Sequence, residues 1–599
     1  MPQPSRQHDG AMNVLGLSFG FHDAAAALVV DGRVVAAGQE ERFTRRKHDA
    51  GFPAKAVEFC LRQGGVKISE IDRVVFHEDT GLKFDRLARS ALSRGRGGIA
   101  FLSKACQHWV SDGKFFPKAL ISERLGLPRR RISSTRHHAA HAASAFFCSP
   151  FDRAVVLTID GIGEEETFTV SIGEGTRLTK IAAVRFPHSL GLFYSAFTSY
   201  LGFEVNEGEY KVMGMAGFGE PVCWKELFAL FDLSRPLDFR LRQEWFNFYD
   251  PEDHMYSGAM VDRFGPARVP ETPFALGCAA GSVLSPENRR FADLAASVQR
   301  ATEEVMLGLV RQAVERTGAR RVCLAGGVAL NSVANARIQS ELGVEIYVHP
   351  AAGDSGCAVG AALGAAFAGT DRAHSPRTPL DHAYLGPEFS PAEVRAALEV
   401  AGIRRYRTYD DSAALVDTVA ERLARHRVIG WMQGREEWGP RALGNRSILA
   451  SPATAAMQAL VNEKIKFREP FRPFAPSILM EHAAECFACP AELSPHAPEC
   501  FMLAVRAATA AARARMPAVV HADGSSRVHT VRRDSNPLFY DLIAQFHRRT
   551  GIPALLNTSF NLRGQPVVGA PADAIETFGY SGIDTLVMGS YLIDKEDLV

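Results

Sequence analysis

Two stretches of this chain, about 140 residues apart, repeat one pattern, and such a repeat restricts the fold more than any single motif. From Asn13, the run Val14-Leu15-Gly16-Leu17-Ser18 reads as a strand. A turn carrying His22-Asp23 follows, then a strand from Ala24 to Val30, the hairpin turn Asp31-Gly32 and a returning strand from Arg33 to Gly38. From Arg153 the order recurs: a strand from Ala154 to Ile159, the turn Asp160-Gly161-Ile162-Gly163, and strands from Thr167 to Ile172 and from Thr176 to Val184. A strand, an acidic or glycine-bearing turn and a hairpin, used twice, describe a duplicated α/β domain whose halves face each other across a cleft.

Candidate ligands gather around this repeat. In the alanine-rich run Arg136 to Ser144, which is predicted helical, His137 and His141 stand four residues apart and so share a face. Two neutral imidazoles on one face can each offer a nitrogen to a single metal, and Asp160 adds a carboxylate at a strand end. The competing reading is a helix whose histidines pack or face water. A zinc-peptidase helix is disfavoured, because His138, Ala139 and Ala140 fill the places where its glutamate belongs.

Further on, the strand Val322 to Ala325 runs into Gly326-Gly327 and, past Asn331, a helix; glycine lets backbone approach a ligand, and a helix start offers unpaired N–H groups. The run Gly208 to Gly217, with Lys211 and Gly214, offers an opposite wall. Asp354 sits in the small-residue loop His349 to Gly356, ahead of a helix from Ala358 to Phe367. Tight turns use glycine with no ligand at all, so it is the joint occurrence with Asp160 and Asp354 that points to a cleft for an anion and a metal.

Between Gly369 and Asp381 the composition shifts to Gly, Thr, Asp, Arg, Ser and Pro, a boundary signal. Beyond it, an amphipathic helix from Asp411 to His426, with Ser412 as N-cap, feeds the strand Val428 to Met432 and a glycine-rich segment holding Arg441 and Arg446. In Lys464 to Phe474 cations alternate with aromatics and prolines, a rigid support on which Lys466, Arg468 and Arg472 could converge on a phosphate. The strand Pro553 to Leu556 ends in short polar side chains, including Ser559 and Asn561, suited to a carbonyl or phosphate. The bland alternative is a hydrogen-bonded core loop plus solvated cations. A nucleic-acid groove is the rival use of such interleaving, but 68 Lys and Arg against 67 Asp and Glu leave a net charge of only +1, which also argues against an anionic membrane.

The 599 residues, 46% hydrophobic and 23% charged, suffice for two or more cores. The first eleven residues read as a disordered polar tail. No stretch resembles a signal peptide or approaches about 18 uninterrupted apolar residues, so a cytoplasmic location is expected. Ten cysteines spread through so long a chain read as reduced thiols. Cys486 and Cys489 form a lone CxxC, with Cys500 and His482 nearby, which without a second CxxC is a weak zinc pattern.

The segments Phe21 to Ala24, Glu40 to His48, His137 to Ala143, Gly439 to Leu449, Lys466 to Pro476 and Asn557 to Asn561 together resemble the NodU/CmcH carbamoyltransferases, which place a carbamoyl group on a hydroxyl of an antibiotic, toxin or oligosaccharide. The resemblance implies an α/β protein: after the tail 1–11, a duplicated actin-like ATPase (ASKHA) domain over 12–368, a linker 369–382, and a YrdC-like twisted-sheet α/β domain over 383–599. It implies a metal on His137, His141, Asp160 and Asp354, with Fe2+ the family's ion; the ligand set also suits Mn2+ or Zn2+.

By the same resemblance the C-terminal domain, which keeps the Lys466-Phe467-Arg468 and Ser559-Phe560-Asn561 signatures, joins a carbamate to the α-phosphate of ATP, with Mg2+ accompanying the nucleotide. Lys466, Arg472, Arg441 and Arg527 would neutralise phosphate oxygens, with Arg446 and Arg468 in the same site, while Ser559 and Asn561 orient the carbamoyl group. Arg527 is included because Ala522 to Arg527 fits the family pattern. In the N-terminal cleft Lys211, Gly214, Gly326, Gly327 and Asn331 would hold the adenylate, His22 would take the acceptor's proton, and Lys47 would stabilise developing charge. Expected partners are carbamoyl phosphate, ATP and a small-molecule hydroxyl acceptor, without nucleic acid or membrane; the acceptor and the oligomeric state are not specified, specificity falling to loops such as Thr80 to Gly113 and Leu241 to Arg268. A tRNA threonylcarbamoyl-type modification enzyme, a sugar kinase and a nucleotide-binding regulatory protein are the alternatives.

Overall fold

The computed structural model describes residues 12–92, 96–111, 113–249, 254–274, 284–369 and 377–598. The expected tail and half of the expected linker, residues 370–376, lie outside the described residues.

The first repeat builds a five-stranded sheet. β1 (Asn13–Ser18), β2 (Ala25–Val30) and β3 (Arg33–Gln39) pair antiparallel, and β4 (Arg73–Phe76) and β5 (Ile132–Ser134) extend the other side of β1 in parallel, giving the order β3-β2-β1-β4-β5. The second repeat does the same with β6 (Arg153–Ile159), β7 (Glu166–Glu174) and β8 (Arg177–Arg185). After a short ribbon of β9 (Phe231–Asp232) and β10 (Arg240–Leu241), β11 (Arg321–Ala325) and β12 (Glu345–Val348) complete the order β12-β11-β6-β7-β8. Strand for strand, order and pairing sense are the same in both sheets. This is the duplicated α/β plan that the sequence repeat predicts.

Between the sheets the helices His137–Cys148 and Gly356–Phe367 pack at very short range. A Cβ on Gly360 would stand 1.8 Å from the Ala140 carbonyl oxygen, so only glycine permits this approach. The contact brings the start of one helix beside the loop that precedes the other, and with it His137 and His141 beside Asp354.

The C-terminal part carries one nine-stranded mixed sheet. Its strands are β13 (Arg407–Thr408), β14 (Ile429–Met432), β15 (Arg446–Ala450), β16 (Ala475–Leu479), β17 (Ala504–Ala507), β18 (Ser525–Val531), β19 (Ala554–Ser559), β20 (Thr585–Met588) and β21 (Tyr591–Asp594), in the order β13-β21-β20-β14-β15-β19-β16-β18-β17. Trp431, Ile448, Leu555 and Val587 from the sheet and Leu423, Phe539 and Phe546 from covering helices form its core. The covering helix Ser412–Ala424 is capped by Asp411, whose carboxylate accepts from the N–H groups of Ala413 (3.0 Å) and Ala414 (3.3 Å), and not by Ser412 as the sequence suggested. The carboxylate supplies two acceptors and a charge that the helix dipole favours. No helix among the described residues is long and apolar enough to cross a membrane.

Candidate active site

The helix starting at His137 turns two imidazoles toward the loop ends of β6 and β12. His137 Nε2 lies 3.0 Å from Asp160 Oδ2, 3.1 Å from His141 Nε2 and 3.6 Å from Asp354 Oδ1; His141 Nε2 lies 3.8 Å and 3.6 Å from the same two carboxylate oxygens. Ligands about 2.0–2.2 Å from one centre are separated by roughly 3.0–3.5 Å, so these four groups fit a single divalent cation. His138, one residue off this face, hydrogen-bonds Thr158 Oγ1 (2.6 Å) and the Glu166 carbonyl (2.9 Å) and is structural.

Burial disfavours charge on both imidazoles, yet both titrate above their ordinary value: Asp354 and Asp160 outweigh burial at His137, and Cys357 with the two carboxylates does so at His141. Reciprocally, burial would raise Asp160 and Asp354, and the imidazoles more than offset it, holding both carboxyls low. A cation must therefore displace protons to bind here. Cys357 also groups with His137 and His141 within ligand reach of one ion, a thiol the sequence reading missed.

His22 stands at the edge of this cluster, its Nε2 3.7 Å from Asp354 Oδ2 and its Nδ1 3.0 Å from Asp23 Oδ2. Burial works against its charge, but Asp354, Asp23 and Asp160 raise it to about 9. With these carboxylates uncompensated it is an imidazolium near neutrality. Lys47 is ion-paired to Glu207, and His48 Nδ1 lies 2.8 Å from Asp23 Oδ1.

The C-terminal site is a concentration of cations. A π-helical turn, Val461–Lys466, ends at a left-handed Phe467 (φ 47°) and delivers Lys466 to the end of β19. There the ammonium donates to Ser559 O (2.8 Å), Ser559 Oγ (3.2 Å), Asn561 O (2.8 Å) and Asn561 Oδ1 (2.6 Å). Burial, then Arg468 and Arg472, push its titration well below the usual lysine range. Arg468 donates to Asn462 Oδ1 (2.7 Å) and stacks over Phe474; Arg472 stacks over Tyr210 and lies 3.6 Å from Glu469. The side chains of Arg441 and Arg527 make no hydrogen bond or ion pair among the described residues, and their Nε atoms are buried. Burial lowers Arg441 to about 10, and burial with three neighbouring guanidiniums holds Arg527 well below the usual arginine range. Buried, unpartnered guanidiniums that repel one another call for an anion.

Arg446 departs from the expected set. It opens β15 and turns into the protein, where it is 0% exposed and donates to the carbonyls of Gln433 (2.8 Å), Gly434 (3.2 Å), Asn445 (2.9 Å) and Pro387 (3.0 Å). With both Nη groups so engaged, it holds the loop that carries Arg441 and does not meet a ligand.

Both halves line one cleft of about 1620 Å³. His22, Lys47, Asp160, Lys211, Gly214, Gly327, Asn331 and Asp354 line one part, and Arg441, Lys466, Arg468, Arg472, Arg527, Ser559 and Asn561 the other. Gly326 supports this wall from beneath: at φ 92°, a Cβ there would stand 2.2 Å from the Ile159 carbonyl oxygen, and the next N–H, from Gly327, donates to Asp160 Oδ1 at 2.8 Å. Asn331 is partly committed, capping the helix Ser332–Leu342 through Ala334 N–H (3.1 Å) and pairing with Gln299. Lys211 reaches Glu469 at 3.3 Å, across the join between the halves. Cys486, Cys489 and Cys500 belong to no group of metal-reach side chains among the described residues.

The sequence reading did not identify the residues that join the halves. Arg42 Nη1 donates to Glu436 Oε1 (2.8 Å), and Arg45 donates to the carbonyls of Val567 (2.6 Å) and Pro566 (3.1 Å).

A cation-type cluster of imidazoles and carboxylates that shares a cleft with a phosphate-type pocket defines a two-site group-transfer enzyme. The family models for the carbamoyltransferase N-terminus and C-terminus match residues 13–363 and 420–595. The chain belongs to the carbamoyltransferase family. Among its relatives are protein sll1178 of Synechocystis sp., 40% identical over 97% of both chains, and nodulation protein NolNO of Sinorhizobium fredii, 37% identical over 96% of this chain and 79% of that one. Nodulation protein NolO of Bradyrhizobium diazoefficiens is 38% identical over 77% of this chain and 78% of its own length. Membership makes the protein an enzyme of ATP-dependent carbamoyl transfer to the hydroxyl of a small molecule, with carbamoyl phosphate and ATP as substrates.

Proposed function

We propose that the two ends of the cleft perform successive steps. In the C-terminal, YrdC-like part, carbamate attacks the α-phosphorus of Mg2+-bound ATP, giving carbamoyl adenylate and pyrophosphate. Arg441, Arg468, Arg472 and Arg527 neutralise phosphate oxygens, and Lys466, with Ser559 and Asn561, orients the carbamoyl group. In the actin-like part the adenylate lies against Gly327, Asn331, Lys211 and Gly214, and the acceptor hydroxyl, of an antibiotic, toxin or oligosaccharide, attacks its carbonyl, breaking the bond to AMP, which leaves with the electron pair. His22 takes the acceptor's proton once the pull of Asp354 and Asp160 on its own proton is balanced, and Lys47 lies close enough to steady developing negative charge.

The residues that would hold a divalent cation are His137, His141, Asp160 and Asp354; bound there, Fe2+, or Mn2+ or Zn2+ in its place, supplies a Lewis acid for carbamoyl or phosphate oxygens. The observation that carries the reading is the shared cleft, since a labile mixed anhydride made at one end reaches the other without crossing bulk water. A cytoplasmic location, where ATP is supplied and free thiols stay reduced, goes with this reading. The test is incubation with ATP and carbamoyl phosphate: pyrophosphate should appear without an acceptor and AMP only with one. Protein loaded with cation that never releases pyrophosphate refutes the reading.

A further inference from the structure

His521 lines the cleft together with Asp523, Ser525 and Arg527, yet the two steps above give it no task. Its hydrogen bonds fix which ring nitrogen carries the proton. Asp523 Oδ1 accepts from the Ser525 hydroxyl at 2.6 Å and from the Ser525 backbone N–H at 2.9 Å, so the hydroxyl's single proton is committed to the carboxylate. His521 Nδ1 lies 3.1 Å from that same hydroxyl oxygen and must therefore be the donor, which leaves the lone pair on Nε2. This Nε2 is buried and has no partner. The mounting is rigid: the His521 N–H donates to the Ser525 carbonyl at 2.7 Å, and the Gly524 N–H returns to the His521 carbonyl at 2.9 Å.

Of the other unpartnered atoms in this part of the cleft, Nε of Arg441 and of Arg527 are donors matched to phosphate oxygens, and Asn557 Oδ1 is a neutral amide acceptor. His521 Nε2 is an acceptor, and a phosphate bound to those guanidiniums has no proton to give it. Burial, opposed by Asp523 and aided by Arg527, pushes the imidazole down to about 4, so its lone pair is available throughout the neutral range. Unlike an amide oxygen, the imidazole can take a proton outright as well as accept a hydrogen bond, and the chemistry calls for such a base. Carbamoyl phosphate must be hydrolysed, its carbamoyl carbon passing from phosphate to a water oxygen, before a carbamate oxygen can attack ATP.

We infer that His521 is the general base for the hydrolysis of carbamoyl phosphate to carbamate. The water oxygen bonds to the carbamoyl carbon and its proton passes to Nε2. The carbon–oxygen bond to phosphate breaks, phosphate departs with the electron pair, and carbamate and inorganic phosphate result. The imidazolium so formed donates through Nδ1 to Ser525, whose hydroxyl is already directed at the Asp523 carboxylate. The inference rests on the adenylate reading and adds to it the step that supplies the adenylated group.

Ammonium carbamate bypasses that step. Pyrophosphate release from ATP should be measured for His521→Gln, which keeps an acceptor but no base, with carbamoyl phosphate and separately with ammonium carbamate. The loss should be about 10²–10³-fold with carbamoyl phosphate and no more than about 3-fold with carbamate. Equal losses with both donors, or no loss with carbamoyl phosphate, overturn the inference. Ser525→Ala, which frees the tautomer, should lose about tenfold with carbamoyl phosphate alone, and it carries the test if His521→Gln does not fold; equal or absent loss there is likewise fatal. Wild-type protein silent with both donors overturns the adenylate reading instead.

Discussion

Replacing Arg42 by Met removes a charge from the join between the halves of the cleft and keeps most of the side-chain volume. Arg42 donates to Glu436 Oε1 at 2.8 Å, the Gly439 carbonyl at 3.1 Å and Gln39 Oε1 at 3.4 Å. The ion pair is only 6% and 3% exposed at its two ends. Removing one partner of a buried pair costs about 3–5 kcal/mol, because the remaining charge is left uncompensated, and the orphaned Gly439 carbonyl adds about 1 kcal/mol. At about 1.4 kcal/mol per decade, the lower figure alone moves the docking equilibrium about a hundredfold. Arg45 on Val567 and Pro566, and Asn335 Nδ2 on the Leu503 carbonyl at 3.1 Å, still tether the halves. Pyrophosphate formation should therefore persist, while adenylate escapes to water. Pyrophosphate, AMP and carbamoylated product, measured in one reaction, should stand near 1:1:1 for the wild type, with product falling well below AMP in Arg42→Met. Thermal inactivation of the cycle Arg42→Met, Glu436→Gln and the double variant should show about 2 kcal/mol or more of coupling. A product-to-pyrophosphate ratio that stays at unity, or a cycle without coupling, refutes the reasoning.

Asp160→Asn should reduce the divalent metal that co-purifies, read by elemental analysis, to near zero and lower transfer at least about 10³-fold, while pyrophosphate release stays within a few-fold of wild type. In chelated protein the His22 imidazole should titrate near 9, and Zn2+ on the Asp354 and Asp160 carboxylates should move it down toward 6.5, followed by NMR. Because the folded value is raised, the stabilisation from His22 is complete below about 6.5 and is lost as pH climbs through about 9. The melting temperature of chelated wild-type protein should fall across that window, and His22→Gln should flatten the fall. Arg446→Met should cost about 3–5 kcal/mol of stability by leaving backbone carbonyls unpaired and raise the KM for ATP only as far as the loop carrying Arg441 loosens, whereas Arg441→Met should raise KM more, with little change in melting temperature.

The contrast between those two arginines shows where sequence reasoning stops. Both stand in one glycine-rich segment, and nothing local separates them. Arg446 is turned inward by the register of β15 between β14 and β19, a property of three strands distant in sequence, and there it finds four carbonyls; Arg441, in the loop before the strand, finds none. Where a local period decides the outcome, the chain was readable: helical spacing alone sends His137 and His141 to one face and His138 to another, and the alternating hairpins of the two repeats foretold sheets of equal order. Where a partner lies 394 or 522 residues away, as for Arg42 and Arg45, no local pattern records it. His521 lies between these cases, because its tautomer is written in the short Asp523–Ser525 turn but becomes meaningful only when β18 lays that turn beside Arg441 and Arg527. Residue type and spacing reveal which groups can carry charge or protons, whereas sheet register decides which of them the protein itself satisfies. Among the atoms left unsatisfied in the interior, His521 Nε2 and the guanidiniums of Arg441 and Arg527 line the cleft, and it is there that a ligand's own donors and acceptors have to enter.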